Sequence, residues 1–133
     1  MSDATGPRRI EPTEYDLAYL AGYLDGEGCF LFQERTAAVS VSTTYPHILH
    51  WIKGLFHGTI SLKHSMNGRT RAAYSWRVYG SNAQRLCKMV LPYLKEKKRQ
   101  AELVLQARES AANSESRKAA AEELKRLKRI NYE

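Results

Sequence analysis

Leu20-Ala21-Gly22-Tyr23-Leu24-Asp25-Gly26-Glu27-Gly28 reads as the end of a helix, yet its composition resists a purely structural explanation. Gly22 falls in mid-helix, where glycine costs about 1 kcal/mol relative to alanine. Ala18, Gly22 and Gly26 are spaced by four, so they form one ridge of small residues along the helix. Such a ridge lets the backbone of another helix approach closely. No other segment reads as a helix with so small a face. The expected partner is therefore the same helix of a second copy, with Ala18, Ala21, Gly22, Asp25 and Gly26 at the contact. Asp25 and Glu27 cluster at the C-terminal end, where the helix dipole disfavours negative charge. Glycines on both sides leave the Glu27 carboxylate uncovered, and two-fold pairing brings the acids of two subunits together. A divalent cation relieves that repulsion, and hard oxygen ligands suit magnesium.

Outward from this stretch the chain alternates in period. Upstream, Thr13 is a candidate N-cap with Asp16 three residues on and Glu14 in the first turn. Leu17, Leu20, Ala21 and Leu24 then recur at helical spacing. Beyond Gly28 the period drops to two. Phe30 and Phe32 alternate with Leu31, Gln33 and Arg35; Val39 and Val41 alternate with Ser40, Ser42 and Thr44. These are two strands of a hairpin, with residues 36–38 as the connection. Pro46 opens a second helix carrying Ile48, Leu49, Ile52, Leu55 and Phe56, which His57-Gly58 stops. Ile60 and Leu62 mark a third strand, Asn67-Gly68 a turn, and Tyr74, Trp76 and Val78 the inner face of a fourth strand. A third helix starts at residues 80–82 and ends near Pro92. Two more follow, one at about 97–109 with Ala101, Val104 and Leu105 inward. The other starts near Ser114 or Ser116, with Ala120, Leu124, Leu127 and Ile130 inward. The order predicts an α+β domain with helices on one face of a four-stranded antiparallel sheet. Residues 1–12 are expected to be a flexible lead and 13–133 a single domain.

The uncovered face of that sheet is expected to show Gln33, Arg35, Ser40, Ser42, Thr44, Ser61, Lys63, Arg71, Ser75 and Arg77, with no acid among them. A solvated face would mix both signs. A basic, hydroxyl-rich surface suits phosphates and base edges, and the formal charge of +7 favours a polyanion such as double-stranded DNA. The chain's 133 residues, 43% hydrophobic and 26% charged, are enough for one modest core and are ordinary for a globular domain. No apolar run is long enough to span a bilayer, and no secretory or transit signal is read, so no membrane partner and an intracellular, cytoplasmic location in a prokaryote or phage are expected. Cys29 and Cys87 belong to no CxxC pair, which argues against zinc and for two buried thiols. The four histidines have no metal-ligand spacing.

The nine-residue stretch resembles the signature of the LAGLIDADG homing endonucleases, with Glu27 where the family's last acid is Asp. Two further matches extend the resemblance over about residues 13–131. Leu91-Pro92-Tyr93-Leu94-Lys95-Glu96-Lys97-Lys98-Arg99-Gln100-Ala101 is similar to the family's hydrophobic-Pro-aromatic-Leu segment with its lysines, Gln and Ala. The ending from Leu124 to Asn131 resembles its C-terminal basic helix. The resemblance implies an αββαββα core with a DNA-binding sheet plus C-terminal helices. It also implies a site-specific endonuclease that makes a staggered double-strand break by metal-dependent phosphodiester hydrolysis. One copy of the motif implies the homodimeric branch and a long palindromic or pseudo-palindromic target.

By the same resemblance, Glu27 binds magnesium with the Gly26 carbonyl as a further ligand, Lys97 is the active-site lysine, and Asp25 is the motif's other acid. The sequence departs from the family at Tyr45, where many relatives carry a polar water-ordering residue. The alternative left open is an intron RNA maturase of the same fold, with host intron RNA as its partner.

Overall fold

The computed structural model describes residues 11–63 and 72–131, the side chains of Ile130 and Asn131 excepted. The Asn67-Gly68 turn, Arg71 and residues 1–10 of the lead lie outside the described residues, as does the side chain of Ile130.

Helix α1 (Glu14–Glu27) opens on the expected capping box: the Asp16 N–H donates to the Thr13 hydroxyl at 3.1 Å, and the Thr13 N–H donates to the Asp16 carboxylate at 2.9 Å. It runs without a linker into β1 (Gly28–Gln33). Strand β2 (Thr36–Thr43) returns beside β1, and α2 (His47–Phe56) leads to β3 (Thr59–Lys63). Strand β4 (Ala73–Tyr79) is followed by α3 (Gly80–Val90), a short 3-10 turn (Leu91–Tyr93), α4 (Lys98–Glu109) and α5 (Glu115–Asn131). The sheet is antiparallel throughout, in the order β1-β2-β4-β3. The architecture is the αββαββα core with added C-terminal helices that the sequence predicts.

Register divides the sheet into two chemically distinct faces. Phe30, Val39 and Val78 stand in one row, and Val41, Trp76 and Ile60 in the next. Against these pack Leu20, Leu24, Leu49, Ile52, Leu86 and Val104, all fully buried. Trp76 is the largest buried side chain, and its indole N–H donates to the His57 carbonyl at 2.8 Å, which satisfies its one polar atom. The chain passes under that indole at Gly58, whose φ is +97° and where an added Cβ would lie 2.5 Å from the Trp76 indole nitrogen and 2.7 Å from the Arg77 carbonyl oxygen. Strain and overpacking therefore act together. Gly58→Ala should lower stability by about 2–4 kcal/mol, read from urea unfolding midpoints; a loss under about 0.5 kcal/mol would show that this crossing is soft.

The β1–β2 connection differs from expectation. The turn is Glu34-Arg35, both at positive φ (52° and 67°), and residues 36–38 belong to β2, with Gln33 paired to Thr36. Such a two-residue turn normally advertises itself with Asn or Gly, because φ > 0 is uncommon for other residues. Strand pairing overrides the local preference here. Arg35 consequently sits at the hairpin tip instead of within the strand.

Candidate active site and nucleic-acid face

The outer face of the sheet carries two polar rows. Cys29, Ser40, Arg77 and Thr59 face one another across all four strands, and Ser42, Ser75 and Ser61 across three. Gln33 pairs with Thr36, and Lys63 with Ala73. Among the described residues, no strand contains an acidic residue. Of the residues expected there, Gln33, Ser42, Ser61, Lys63, Ser75 and Arg77 are at least partly exposed on this face. Ser40 is only 9% exposed, so neighbouring side chains largely cover its hydroxyl. Thr44 lies just past the end of β2, and Arg35 on the turn, next to the acidic Glu34. Sequence reading missed the apolar members Leu31, Ala38 and Tyr79. They follow from the register once the turn is placed correctly, because Leu31 pairs with Ala38 and Ala38 with Tyr79. The Arg77 guanidinium lies 5.9 Å from the Tyr79 ring centroid, which orients both side chains at the surface. Tyr45 follows the strand end and is 62% exposed.

At the head of β1 the two acids of the motif diverge. Asp25 is half-buried and turns toward the segment before α4: its carboxylate accepts the Lys95 N–H at 2.9 Å and the Lys97 N–H at 3.0 Å. Each oxygen accepts one backbone donor, so Asp25 braces the segment that carries Lys97. Asp25→Ala orphans two amides, and hydrogen bonds to a charged acceptor are worth more than neutral ones. A loss of about 1–2 kcal/mol in thermal or urea unfolding is expected, with Asp25→Asn milder because one acceptor remains. Equal stability of wild type and Asp25→Ala would rule out this bracing role.

Glu27, in contrast, is exposed, and among the described residues its side chain forms no hydrogen bond or ion pair. The Lys97 ammonium donates to the Gly28 carbonyl at 2.6 Å, one residue beyond it. Gly28 itself is required by close packing: a Cβ there would meet the Leu24 side chain at 2.7 Å and the Leu24 backbone at 3.0 Å. Asp25, Gly26, Gly28, Cys29, Leu31, Gln33, Glu96, Lys97, Gln100 and Lys128 line one groove at this end of the sheet. Among the described residues no group of three or more His, Cys, Asp or Glu could hold a metal; at the end of α1 the exposed Glu27 carboxylate has the Gly26 carbonyl as its neighbour. These are hard oxygen donors of the kind a magnesium ion takes, and a complete site would need further oxygens from outside the protomer.

Lys128 was not anticipated. It comes from α5, which runs beside the free edge of β1, and its ammonium reaches the Cys29 sulfur at 3.6 Å. Burial is the main influence and lowers its pKa; the Cys29 sulfur opposes that shift, and the charge of Lys97 adds to it. Cys29 is half-buried on the outer face, whereas Cys87 is fully buried and its thiol is pushed up to about 12 by desolvation.

The small ridge of α1 points away from the core. Ala18, Gly22 and Gly26 are exposed, nothing lies within 4 Å of a Cβ built at either glycine, and Tyr15 and Tyr19 beside them are 88% and 62% exposed. Ala21 is a correction: it is fully buried in its own protomer, on the face with Leu17, Leu20 and Leu24.

No protein-family model and no curated protein matches the chain. Solved structures do. The homing endonuclease I-CvuI, in complex with its target in the presence of 2 mM Ca, is 26% identical, with 86% of this chain and 82% of that chain covered and a TM-score of 0.65. The same endonuclease with the I-CreI target and 2 mM Mg, its DNA not cleaved, is 25% identical over 84% and 76% at a TM-score of 0.58. The archaeal intron-encoded homing endonuclease I-Vdi141I, complexed with DNA, is similar in fold, at 18% identity over 85% and 84% and a TM-score of 0.66.

Proposed function

We propose that the chain is a site-specific DNA endonuclease of the LAGLIDADG homing endonuclease type acting as a homodimer, a reading supported by its motif and by its likeness in fold to solved homing endonucleases. The observation that carries the reading is one junction: α1 ends in a bare carboxylate, Glu27, and passes directly into the first strand of an acid-free outer sheet face. Base edges and phosphates of a duplex are met by Gln33, Ser42, Ser61, Lys63, Ser75 and Arg77, with Leu31 and Tyr79 supplying apolar contacts of the kind a thymine methyl takes. Arg35 meets the duplex from the hairpin tip.

Two α1 helices pack through Ala18, Gly22 and Gly26, bringing both Glu27 side chains to the two-fold. The target is then a long palindromic or pseudo-palindromic site, cut on both strands with a stagger. Glu27 and the Gly26 carbonyl of each subunit hold magnesium, which when bound polarises the scissile phosphoryl group and lowers the pKa of the attacking water. The Lys97 ammonium, held in place by Asp25 through the backbone and by the Gly28 carbonyl, stabilises the negative charge that builds on the phosphate.

Purified protein incubated with a library of candidate duplexes tests the reading. Cleavage in magnesium, with binding but no cutting in calcium, is expected. Intron RNA bound while every duplex stays intact would favour a maturase and sink the nuclease assignment.

A further inference from the structure

Helix α5 repeats at four-residue spacing on the side that packs inward: Ala120 and Leu124 are buried, and the next position in the row is Lys128. An apolar residue is what the packing calls for there. Instead a half-buried ammonium reaches across to β1, where it donates to the Cys29 sulfur, a weak acceptor. No carboxylate pairs with it among the described residues. It shares the groove with a second ammonium, Lys97, close enough for the two charges to oppose each other. The groove is also lined by Asp25, whose carboxylate accepts backbone amides, and by Glu96. Neither forms an ion pair with either lysine, and the two partly desolvated ammonium groups repel each other in the free protein. An anion entering the groove offsets the repulsion between the two ammonium groups.

We propose that Lys128 and Lys97 together form a two-ammonium site for one backbone phosphodiester of the bound duplex, with Lys128 as a phosphate-contacting residue supplied by the C-terminal helix. The site rests on reading the outer sheet face as the DNA surface, since Cys29 stands in the row with Ser40, Arg77 and Thr59. It gives α5 a role in binding beyond covering the edge of β1. The bound phosphate lies over Cys29, at the end of the strand nearest Glu27; it is the phosphate that Lys97 meets in the proposed reaction, and the C-terminal helix helps to seat it.

The test is the salt dependence of affinity for a long mixed-sequence duplex, measured with the full chain in EDTA. Each phosphate contact contributes about 0.9 to the slope of log K against log salt. Lys128→Gln is expected to make the slope shallower by about 0.9 per subunit, Lys128→Arg to retain it, and Lys53→Gln, on α2 behind the sheet, to leave it unchanged. A slope and affinity equal to wild type in Lys128→Gln would overturn the site. Should that variant fail to fold, comparison of Lys128→Arg with Lys128→Met decides in the same way. If wild-type protein binds no duplex, it is the DNA reading that fails. Inorganic pyrophosphate then discriminates: a rise in wild-type Tm that Lys128→Gln loses upholds the anion site, and no such difference overturns it.

Discussion

Glu27→Gln should yield a folded, dimeric, DNA-binding protein that no longer cuts. The side chain is exposed and forms no hydrogen bond or ion pair among the described residues, so nothing in the protomer depends on it. Its charge sits at the negative end of α1, and neutralising it there favours the helix. Stability is therefore unchanged or slightly raised, and binding to a basic-faced groove is not weakened. Cleavage is different, because the amide cannot replace a carboxylate as a hard anionic ligand. The expected loss is about a thousandfold or more in single-turnover rate, the equivalent of several kcal/mol of transition-state stabilisation. A variant that cuts at the wild-type rate in magnesium removes Glu27 from the mechanism. Loss of folding along with activity would equally contradict its position as a structurally idle group.

Gly22→Leu separates the protomer from the assembly. Within one chain the substitution meets nothing, since no atom lies within 4 Å of the Cβ position. It also replaces a mid-helix glycine with a strong helix former, worth about 1 kcal/mol in favour of the monomer fold. Across the proposed helix pair the same side chain is driven into the facing backbone, an overpacking penalty of about 1–3 kcal/mol from each subunit. Two such penalties together predict a dimer weakened by two or more orders of magnitude, seen by sedimentation or size-exclusion at graded concentrations. A monomer that melts higher and a dimer that falls apart is an unusual combination of signs. An unaltered dimer would place the interface elsewhere, and a destabilised monomer would contradict the empty space around Gly22.

Much of the fold was readable because it rests on period. Thr13 with Asp16 marked the start of α1, and the alternation around Trp76 identified the inner face of β4, as the structure bears out. Reading failed where tertiary pairing overrides local chemistry. Glu34-Arg35 carries no glycine or asparagine, so nothing local announced a left-handed turn, and the error displaced Arg35 from the strand to the tip. In the candidate site the sequence assigns Glu27 to the metal and Asp25 more to the helix ends and the interface, but it does not show what Asp25 holds. Asp25 finds its partners 70 and 72 residues downstream, a relation no local spacing encodes. Ala21 was grouped with its neighbours by proximity in sequence although its helical angle matches Leu17 and Leu24. Lys128 was legible in principle, four places after Leu124, but a lysine in a basic run ordinarily reads as a solvated side chain.

Helix α1 and strand β1 share a boundary with no intervening residue, and Gly28 is pressed against Leu24 at that boundary. A joint so short and so tightly packed has no slack. In the proposed dimer, the tilt between the two helices therefore dictates the tilt between the two sheets, as a hinge pin dictates the opening of its leaves. The distance at which the protein grips the left and right halves of its target is then a dimension cast by the helix pair, while the letters it reads in each half are left to the side chains of the strands. Natural drift in those side chains can change the target without changing its length.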